Sequence, residues 1–240
     1  MTESLPIAIL AGGLATRLRP ITEKIPKSLV TVGGKSFLEH QLELLRRNGV
    51  RKIVLCVGYL GEMIEVRYGN GRSLGVEISY SYDGANLLGT GGAIRKALPL
   101  LGPSFFVLYG DSYLPIRYNS VADAFVAAGR PALMTVFQNQ DAWDKSNVWF
   151  ETGQIRLYSK RRRLQQMRHI DYGLTVCSQS IFDDWKNEEA FDISAIFESL
   201  SEKDDLAGFE VFERFYEVGS PSGLAELDDL LSNTRIGAEK

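Results

Sequence analysis

The chain has 240 residues, 45% of them hydrophobic and 24% charged, the balance of a globular protein that buries a sizeable core. A formal net charge of -3 argues against a nucleic-acid-binding protein, because such proteins carry a strongly basic face. The sequence shows neither the basic and apolar regions of a signal peptide nor the roughly 18 apolar residues of a membrane helix. We therefore expect a cytoplasmic protein that binds neither nucleic acid nor membranes.

Strands and helices alternate through the first half of the chain. Continuous apolar runs predict strands at residues 6–10, 52–57, 76–82, 104–109 and 132–137. Helices are predicted between them at 36–48, which opens on the capping box Ser36-x-x-Glu39 and ends at Gly49, and at 61–68, 91–100 and 121–128. This alternation predicts an α/β fold with a mainly parallel sheet and helices on both faces.

The pattern changes after residue 141. Short strands are predicted at 148–150, 155–158 and 170–176, and helices at 180–186, at 193–201 and from Pro221 onward. No repeat or long linker separates the two halves. We therefore expect one domain over residues 1–240, with a main part at 1–140 and a smaller β/α part at 141–240.

The loop after the first strand is the first candidate site, because open parallel sheets bind ligands at the carboxyl ends of their strands. Residues 10–20 read LAGGLATRLRP. Two adjacent glycines let the backbone approach a phosphate, and Arg17 and Arg19 add positive charge. The dinucleotide fingerprint is excluded because no third glycine follows, and a Walker loop ending at Gly34-Lys35-Ser36 is excluded because Leu29 stands where its first glycine belongs.

A family resemblance starts in this loop. Residues 12–27, GGLATRLRPITEKIPK, resemble the signature GGxxTRLxPxTxxxPK of the sugar-1-phosphate nucleotidyltransferases, with Ala15 where many members have glycine. The resemblance covers most of the chain and looks closest to heptose and mannose 1-phosphate guanylyltransferases. It implies the Rossmann-like, glycosyltransferase-A-like fold of nucleotide-diphospho-sugar transferases, in which 1–140 would bind the nucleotide and 141–240 the sugar phosphate.

The resemblance implies roles for residues of the first half. Family members wrap this loop around the triphosphate, and they read the base with a segment that residues 88–94, LGTGGAI, resemble. The implied catalytic residues are Arg17 and Lys27. The implied nucleotide-binding residues are Leu10, Ala11, Gly12, Gly13, Thr16, Gly89, Thr90 and Gly91. Asp83 could accept hydrogen bonds from guanine N1–H and N2–H, or could serve only the turn at Gly84.

The resemblance also implies metal ligands and sugar-side residues. Asp111, after an apolar strand and Gly110, resembles the family aspartate that binds Mg²⁺, and Glu217 stands where the family has a second ligand aspartate. Its extra methylene leaves direct, water-mediated or no ligation open. The implied sugar-phosphate-binding residues are Lys160, Asp171, Tyr172 and Gly173. The usual Glu-Lys-Pro context is absent around Lys160, so that a neighbouring arginine could take its role.

The implied reaction joins a nucleoside monophosphate from an NTP to a sugar 1-phosphate and releases pyrophosphate, with Mg²⁺ as cofactor. The segment at 88–94 favours GTP with D-glycero-D-manno-heptose 1-phosphate or a related sugar phosphate. Uridylyl or cytidylyl transfer to another sugar 1-phosphate stays open, and so does an inactive, nucleotide-sugar-binding regulatory subunit, because of Glu217 and the altered lysine context. The expected partners are the NTP and the sugar 1-phosphate, and formation of a homo-oligomer is left open.

Overall fold

The computed structural model of the chain describes residues 4–13, 15–186 and 189–238, with side chains up to residue 232. Most of the strands form a single twisted sheet. In chain order the strands are β1 (Ile7–Leu10), β2 (Thr31–Val32), β3 (Lys35–Ser36), β4 (Lys52–Val57), β5 (Glu77–Tyr82), β6 (Ser104–Tyr109), β7 (Ser112–Tyr113), β8 (Ala132–Gln138), β9 (Val148–Glu151), β10 (Gln154–Tyr158), β11 (His169–Ser178), β12 (Leu206–Val211) and β13 (Tyr216–Glu217).

The main sheet has the order β5-β4-β1-β6-β11-β8-β12-β10-β9. Strands β5, β4, β1 and β6 run parallel to one another, so their carboxyl ends meet at one edge. Beyond β6 the sheet becomes mixed, because β11 lies antiparallel to both β6 and β8, whereas β12 is parallel to β8. The prediction of a mainly parallel sheet therefore holds only for the first four of these strands, and the remainder is chiefly antiparallel.

Helices cover both faces of the sheet, as the alternation predicts. Alternate residues of β1 separate the two faces: Ile7 and Ile9 belong to one apolar cluster and Ala8 to the other. The helices are α1 (Phe37–Arg47), α2 (Gly61–Tyr68), α3 (Gly89–Ala97), α4 (Tyr118–Ala128), α5 (Ser194–Glu202) and α6 (Pro221–Ala238). Side chains of α1, α2 and α4 fill the first cluster, and those of α3 and α5 fill the second.

Local sequence explains why several of these elements form where they do. The hydroxyl oxygen of Ser36 accepts a hydrogen bond from the backbone N–H of Glu39 (3.3 Å) at the start of α1, as the capping box predicts. The apolar positions of α1 at Leu38, Leu42 and Leu45 are buried on one face. No helix among the described residues is both long enough and apolar enough to cross a membrane.

A third, smaller apolar cluster packs α6 and the end of β13 against β2, β7 and the start of α1. It contains Val32, Phe37, Tyr113, Val218 and Leu227. Here β13 pairs with β7, and the backbone N–H of Val218 donates to the carbonyl oxygen of Asp111 (2.9 Å). Strand β13 therefore lies beside Asp111, two residues after the end of β6.

Three features differ from the sequence predictions. Residues 180–186, predicted as a helix, form a 3₁₀ helix at Gln179–Trp185. Helix α3 begins at Gly89, two residues before the predicted start and within the glycine-rich segment. Strand β12 was not predicted, because its sequence LAGFEV contains glycine and alanine, which are poor strand formers. Its position between β8 and β10 compensates for this composition by pairing it on both sides.

Candidate active site

The glycine-rich loop leaves the sheet where three parallel strands end together. The Ala11 N–H donates to the carbonyl of Cys56 at the end of β4 (2.8 Å), and the Gly110 N–H, just after β6, donates to the carbonyl of Leu10 (3.1 Å). A side chain at Gly110 would clash with that same carbonyl oxygen. Glycine is therefore required at 110 for the close approach of β6 to the loop.

The loop then turns back through a left-handed residue. Ala15 has φ 47° and ψ 45°, after which the 3₁₀ helix Thr16–Leu18 carries Arg17. The Thr22 hydroxyl donates to the Ala15 carbonyl (2.8 Å) and ties the turn to the following segment. Left-handed backbone is unfavourable for alanine and free of strain for glycine, which accounts for glycine in the resembling signature. Leu14 lies outside the described residues.

A cavity of about 270 Å³ opens beside this loop at the carboxyl ends of β1, β4 and β6. Most of the predicted nucleotide-binding residues line it. Those that do so are Leu10, Ala11, Gly12, Gly13, Asp83, Gly89 and Thr90, together with the predicted catalytic Lys27 and the predicted metal ligand Asp111. The predicted residues Thr16 and Gly91 are not in this lining.

One end of the cavity is apolar and carries a single carboxylate. Cys56, Leu87 and Ala93 line it with Asp83. Ala93 belongs to the segment 88–94 that the resemblance assigns to base reading, whereas no motif pointed to Cys56 or Leu87. Burial raises the pKa of the Cys56 thiol to about 12, so the thiol stays protonated and is no nucleophile near neutral pH. Burial also raises the pKa of Asp83, against a hydrogen bond from the Leu88 N–H that favours its charged form.

The glycines at the start of α3 serve two purposes. Gly89 and Thr90 line the cavity, but Gly91 faces away from it, toward Phe191. A side chain at Gly91 would overlap the Phe191 ring, and the Gly91 N–H donates to the Phe191 carbonyl (2.8 Å). This glycine makes room for a neighbouring segment, and the nucleotide contact at Gly91 stays a prediction.

Charged groups converge at the other end of the cavity. The Lys27 ammonium lies 2.7 Å from Asp111 Oδ2. A Cβ atom built at Gly219 would be 3.0 Å from Arg17 Nη2 and 3.6 Å from Asp111 Oδ2. Arg17, Lys27 and Asp111 therefore meet around Gly219, although they come from three separate segments of the chain. Glycine at 219 leaves the space that the Arg17 guanidinium occupies.

Glu217 adds a second carboxylate to this cluster. It lies on β13 opposite Ser112, next to Asp111. Burial and then the negative charge of Asp111 raise the pKa of Glu217, while Arg17 and Lys27 act in the opposite direction. Two carboxylates that repel each other are a suitable pair for a hard divalent cation such as Mg²⁺, whose remaining ligands are usually phosphate oxygens and water. No group of three or more potential ligand side chains occurs within the described parts of the chain.

A second polar group surrounds Tyr109, which forms a wall of the cavity. The Tyr109 hydroxyl donates to Asp171 Oδ2 (3.0 Å), and the Lys160 ammonium lies 5.9 Å from the centre of the Tyr109 ring. Lys160 also pairs with Asp192 at 3.5 Å. Burial raises the pKa of Asp171, against hydrogen bonding from Gly173 and the charge of Lys160. Asp192 and Tyr109 are missing from the sequence prediction, because neither belongs to a recognisable motif.

Three cations of the basic run at residues 160–163 have different partners. Arg162 pairs with Glu198 and Glu202, and Arg163 pairs with Asp141. These arginines bind other surface segments, whereas Lys160 reaches the Tyr109 wall. The alternative that Arg162 or Arg163 replaces Lys160 is therefore not supported.

Tyr172 and Gly173 do not share one role. Tyr172 is 2% exposed and packs in the core, edge-on against Phe215 with ring centres 5.9 Å apart. Successive residues of β11 point to opposite faces, and the Tyr172 side chain points into the core. This burial argues against the prediction that Tyr172 binds sugar phosphate. Gly173 has φ 103°, and a Cβ atom there would be 3.3 Å from the Tyr109 ring. The Gly173 N–H donates to Asp171 Oδ1 (3.0 Å). This hydrogen bond and the lack of a side chain at Gly173 shape the Tyr109 wall.

Comparison with known proteins matches residues 7–155 to the family described as nucleotidyl transferase. Mannose-1-phosphate guanyltransferase beta-A of Xenopus laevis is 29% identical over 89% of this chain and 61% of its own length. D-glycero-alpha-D-manno-heptose 1-phosphate guanylyltransferase of Campylobacter jejuni is 26% identical over 89% of this chain and 94% of its own. UTP–glucose-1-phosphate uridylyltransferase of Synechocystis is 37% identical over 77% of this chain and 52% of its own.

The chain thus spans only about three fifths of the mannose relative and about half of the glucose relative, but nearly all of the heptose relative. Among solved structures, HddC from Yersinia pseudotuberculosis in complex with GMP-PN superposes with a TM-score of 0.79 and 23% identity. This match covers 95% of this chain and 99% of that one. At this identity the similarity establishes a shared fold.

Proposed function

Because the chain belongs to the nucleotidyl transferase family, we propose that it transfers a nucleoside monophosphate from an NTP to a sugar 1-phosphate and releases pyrophosphate. One observation carries this proposal above the others. Arg17, Lys27, Asp111 and Glu217 converge at one end of a cavity whose walls are the glycine-rich loop and the start of α3. With a divalent cation held by the two carboxylates, this arrangement would neutralise phosphate charge beside a cavity of nucleoside size.

The residues would divide the work as follows. Backbone N–H groups of Gly12 and Gly13 cradle the triphosphate, and the apolar end near Cys56 and Leu87 receives the base. An oxygen of the sugar phosphate attacks the α-phosphorus, one new P–O bond forms, and the bond from the α-phosphorus to the pyrophosphate oxygen breaks. Arg17 and Lys27 stabilise the negative charge that moves onto the pyrophosphate.

No general base is needed for this attack. The second pKa of a phosphate monoester is about 6, so its oxygen is already anionic near neutral pH. The chain accordingly needs to hold two anionic substrates together and in line. Lys160 at the Tyr109 wall is the cation that we assign to the sugar phosphate.

Asp111 and Glu217 fit a magnesium ion by charge and donor type. When bound, Mg²⁺ would supply positive charge shared between the triphosphate and the sugar phosphate. Lys27 pairs with Asp111. Its ammonium would exchange this carboxylate for a phosphate oxygen when the nucleotide binds.

For the substrate pair we propose GTP and D-glycero-D-manno-heptose 1-phosphate or a related sugar phosphate. Two observations support it. The Asp83 carboxylate lines the base end of the cavity, where it can accept the two N–H groups of a guanine edge, and the heptose relative matches along nearly its whole length. The uridylyltransferase relative has a higher sequence identity over a shorter stretch of this chain. Uridylyl transfer is therefore the alternative, and cytidylyl transfer is tested in the same experiment.

Pyrophosphate release tests the proposal. The chain is incubated with Mg²⁺, each of the four ribonucleoside triphosphates and a panel of sugar 1-phosphates that includes heptose, mannose and glucose forms. We expect turnover with GTP and a manno-configured sugar phosphate, and loss of turnover when EDTA removes the metal. Nucleotide binding without turnover for any pair would refute the transferase and favour the regulatory subunit. Turnover only with UTP would refute the guanine assignment alone.

A further inference from the structure

A short segment, Phe191–Ile193, connects the start of α3 with the Tyr109 wall of the cavity. On the nucleotide side, the Phe191 N–H donates to the Leu88 carbonyl (3.0 Å) and the Ile193 N–H donates to Thr90 Oγ1 (2.8 Å). Between these two anchored residues, Asp192 turns its carboxylate to Lys160. The segment is thus bonded to the start of α3 and at the same time reaches the Tyr109 wall.

The position of Asp192 is fixed by more than its ion pair. Its Oδ1 accepts a hydrogen bond from the Ser194 N–H (2.8 Å) at the start of α5. Phe191 fills the space that Gly91 leaves open and stacks on Trp185, with ring centres 5.0 Å apart. The carboxylate is therefore held by the backbone on both sides and by a packed aromatic neighbour.

Lys160, in contrast, makes no side-chain hydrogen bond to its neighbours in sequence within the described residues. It stands in a loop between β10 and β11, and its side chain is 44% exposed. A lysine ammonium on a flexible four-carbon stem loses much rotamer entropy when it is ordered. The contacts that restrict it here are the Asp192 carboxylate and the face of the Tyr109 ring.

We propose that Asp192 is a positioning residue that holds the Lys160 ammonium at the Tyr109 wall, ready to bind the phosphate of the sugar 1-phosphate. The inference rests on the proposed function. Because its neighbours Phe191 and Ile193 are hydrogen-bonded to the start of α3, Asp192 sets the sugar-phosphate cation at a fixed distance from the base end of the cavity. The sugar phosphate is thereby placed relative to the nucleotide.

Two effects of Asp192 oppose each other. Its negative charge repels the incoming phosphate, and its pairing with Lys160 removes the entropy cost of ordering the lysine. The repulsion acts between half-exposed groups and is weakened by solvent and salt. We therefore expect the ordering to dominate.

The substitution Asp192→Asn separates these contributions from folding. Asparagine retains an oxygen that can accept the Ser194 N–H, so this hydrogen bond at the start of α5 is kept, but the charge that holds Lys160 is lost. With the sugar 1-phosphate that turns over fastest in the panel, we expect its KM to rise about fivefold, or about 1 kcal/mol. The kcat and the KM of the NTP should stay within twofold. Asp192→Glu should restore most of the loss.

A double-mutant cycle shows whether Asp192 acts through Lys160. Lys160→Met alone should raise the KM of the sugar phosphate at least tenfold, and adding Asp192→Asn should change it by less than twofold. Asp184→Asn removes an exposed carboxylate from the preceding 3₁₀ helix and serves as the matched control, with no expected effect.

The outcomes are distinct. If the unsubstituted chain turns over no pair, the proposed function fails and this inference fails with it. If it turns over but Asp192→Asn leaves the sugar-phosphate KM unchanged or lowers it, only the positioning role is refuted. Additive effects in the cycle would likewise refute the role, because they would show that Asp192 acts independently of Lys160.

Discussion

The two sides of the cavity are built from different material. On the nucleotide side, the walls are mostly backbone and small side chains from two glycine-rich loops, each a continuous stretch of sequence. On the side of Tyr109, the groups are side chains of Lys160, Asp171 and Asp192, which come from separate strands and loops. The nucleotide side thus depends on backbone conformation, and the other side depends on tertiary packing.

This difference determines what substitutions should do. A backbone site is damaged by changes that alter φ or add bulk, whereas a side-chain site is damaged by changes in charge. Asp111 stands between the two sides, because it follows β6, pairs with Lys27 and lies beside Glu217. It is the position where the two sides should be affected together.

Asp111→Ala should therefore have the largest effect. We expect kcat to fall about 10³-fold, the scale of losing one group that stabilises transition-state charge, for every nucleotide and sugar phosphate alike. The melting temperature should change little, since Asp111 contributes charge and not core packing. Asp123→Ala, on the exposed face of α4, is the control. Near-normal kcat in Asp111→Ala would remove the metal assignment.

Gly91→Ala tests whether the glycine-rich start of α3 serves the nucleotide or the fold. The new methyl group would meet the Phe191 ring, and overpacking of this kind costs about 1–3 kcal/mol. For a chain of this size that lowers the melting temperature by about 2–4 °C per kcal/mol. Gly102→Ala, with no neighbour closer than 3.9 Å, should be nearly neutral. An unchanged melting temperature together with a raised nucleotide KM would instead support the base contact that the sequence predicted.

Asp171→Asn should have opposite effects on stability and on sugar-phosphate binding at the Tyr109 wall. Burial raises the folded-state pKa of Asp171, so the folded chain binds this proton more tightly than the unfolded chain. The resulting stability is lost as the pH rises through the raised pKa. At pH 7 the neutral asparagine should thus raise the melting temperature, and this advantage should shrink toward pH 4.

The same substitution should weaken sugar-phosphate binding, with a KM rise of about tenfold, because a charged hydrogen-bond acceptor is lost. Melting curves across pH 4–8 and the KM values of both substrates measure the two effects. A melting temperature that falls at pH 7, with no change in either KM, would mean that Asp171 is a structural residue.

Ala15→Gly should have the smallest effect. A left-handed alanine costs about 1–2 kcal/mol, and glycine returns part of this through about 0.5–1 kcal/mol of unfolded-state entropy. We expect a melting temperature higher by up to about 3 °C and unchanged kinetics. Ala127→Gly, at an exposed position of α4, should have the opposite sign, since glycine destabilises a right-handed helix. A destabilised Ala15→Gly would contradict the strain at this turn.

The accuracy of the sequence predictions follows the same division. The strands at 52–57 and 104–109 and the helix at 61–68 coincide with β4, β6 and α2, because apolar periodicity and glycine boundaries are local signals. Strand β12 could not be found this way, since its pairing partners lie some 70 residues earlier in β8 and its own composition is unfavourable for a strand.

The amino-acid sequence by itself determined the glycine-rich loop, the Asp111 position and the family, because these are contiguous motifs whose spacing is set by one strand and one turn. Only the tertiary structure decided that Gly91 serves Phe191, that Tyr172 is core and that Asp192 joins Lys160 at Tyr109. The physical reason is that each of these contacts joins residues that are remote along the chain or depends on which face of a strand a side chain occupies. Such contacts exist only once the sheet has formed and its helices have packed against it.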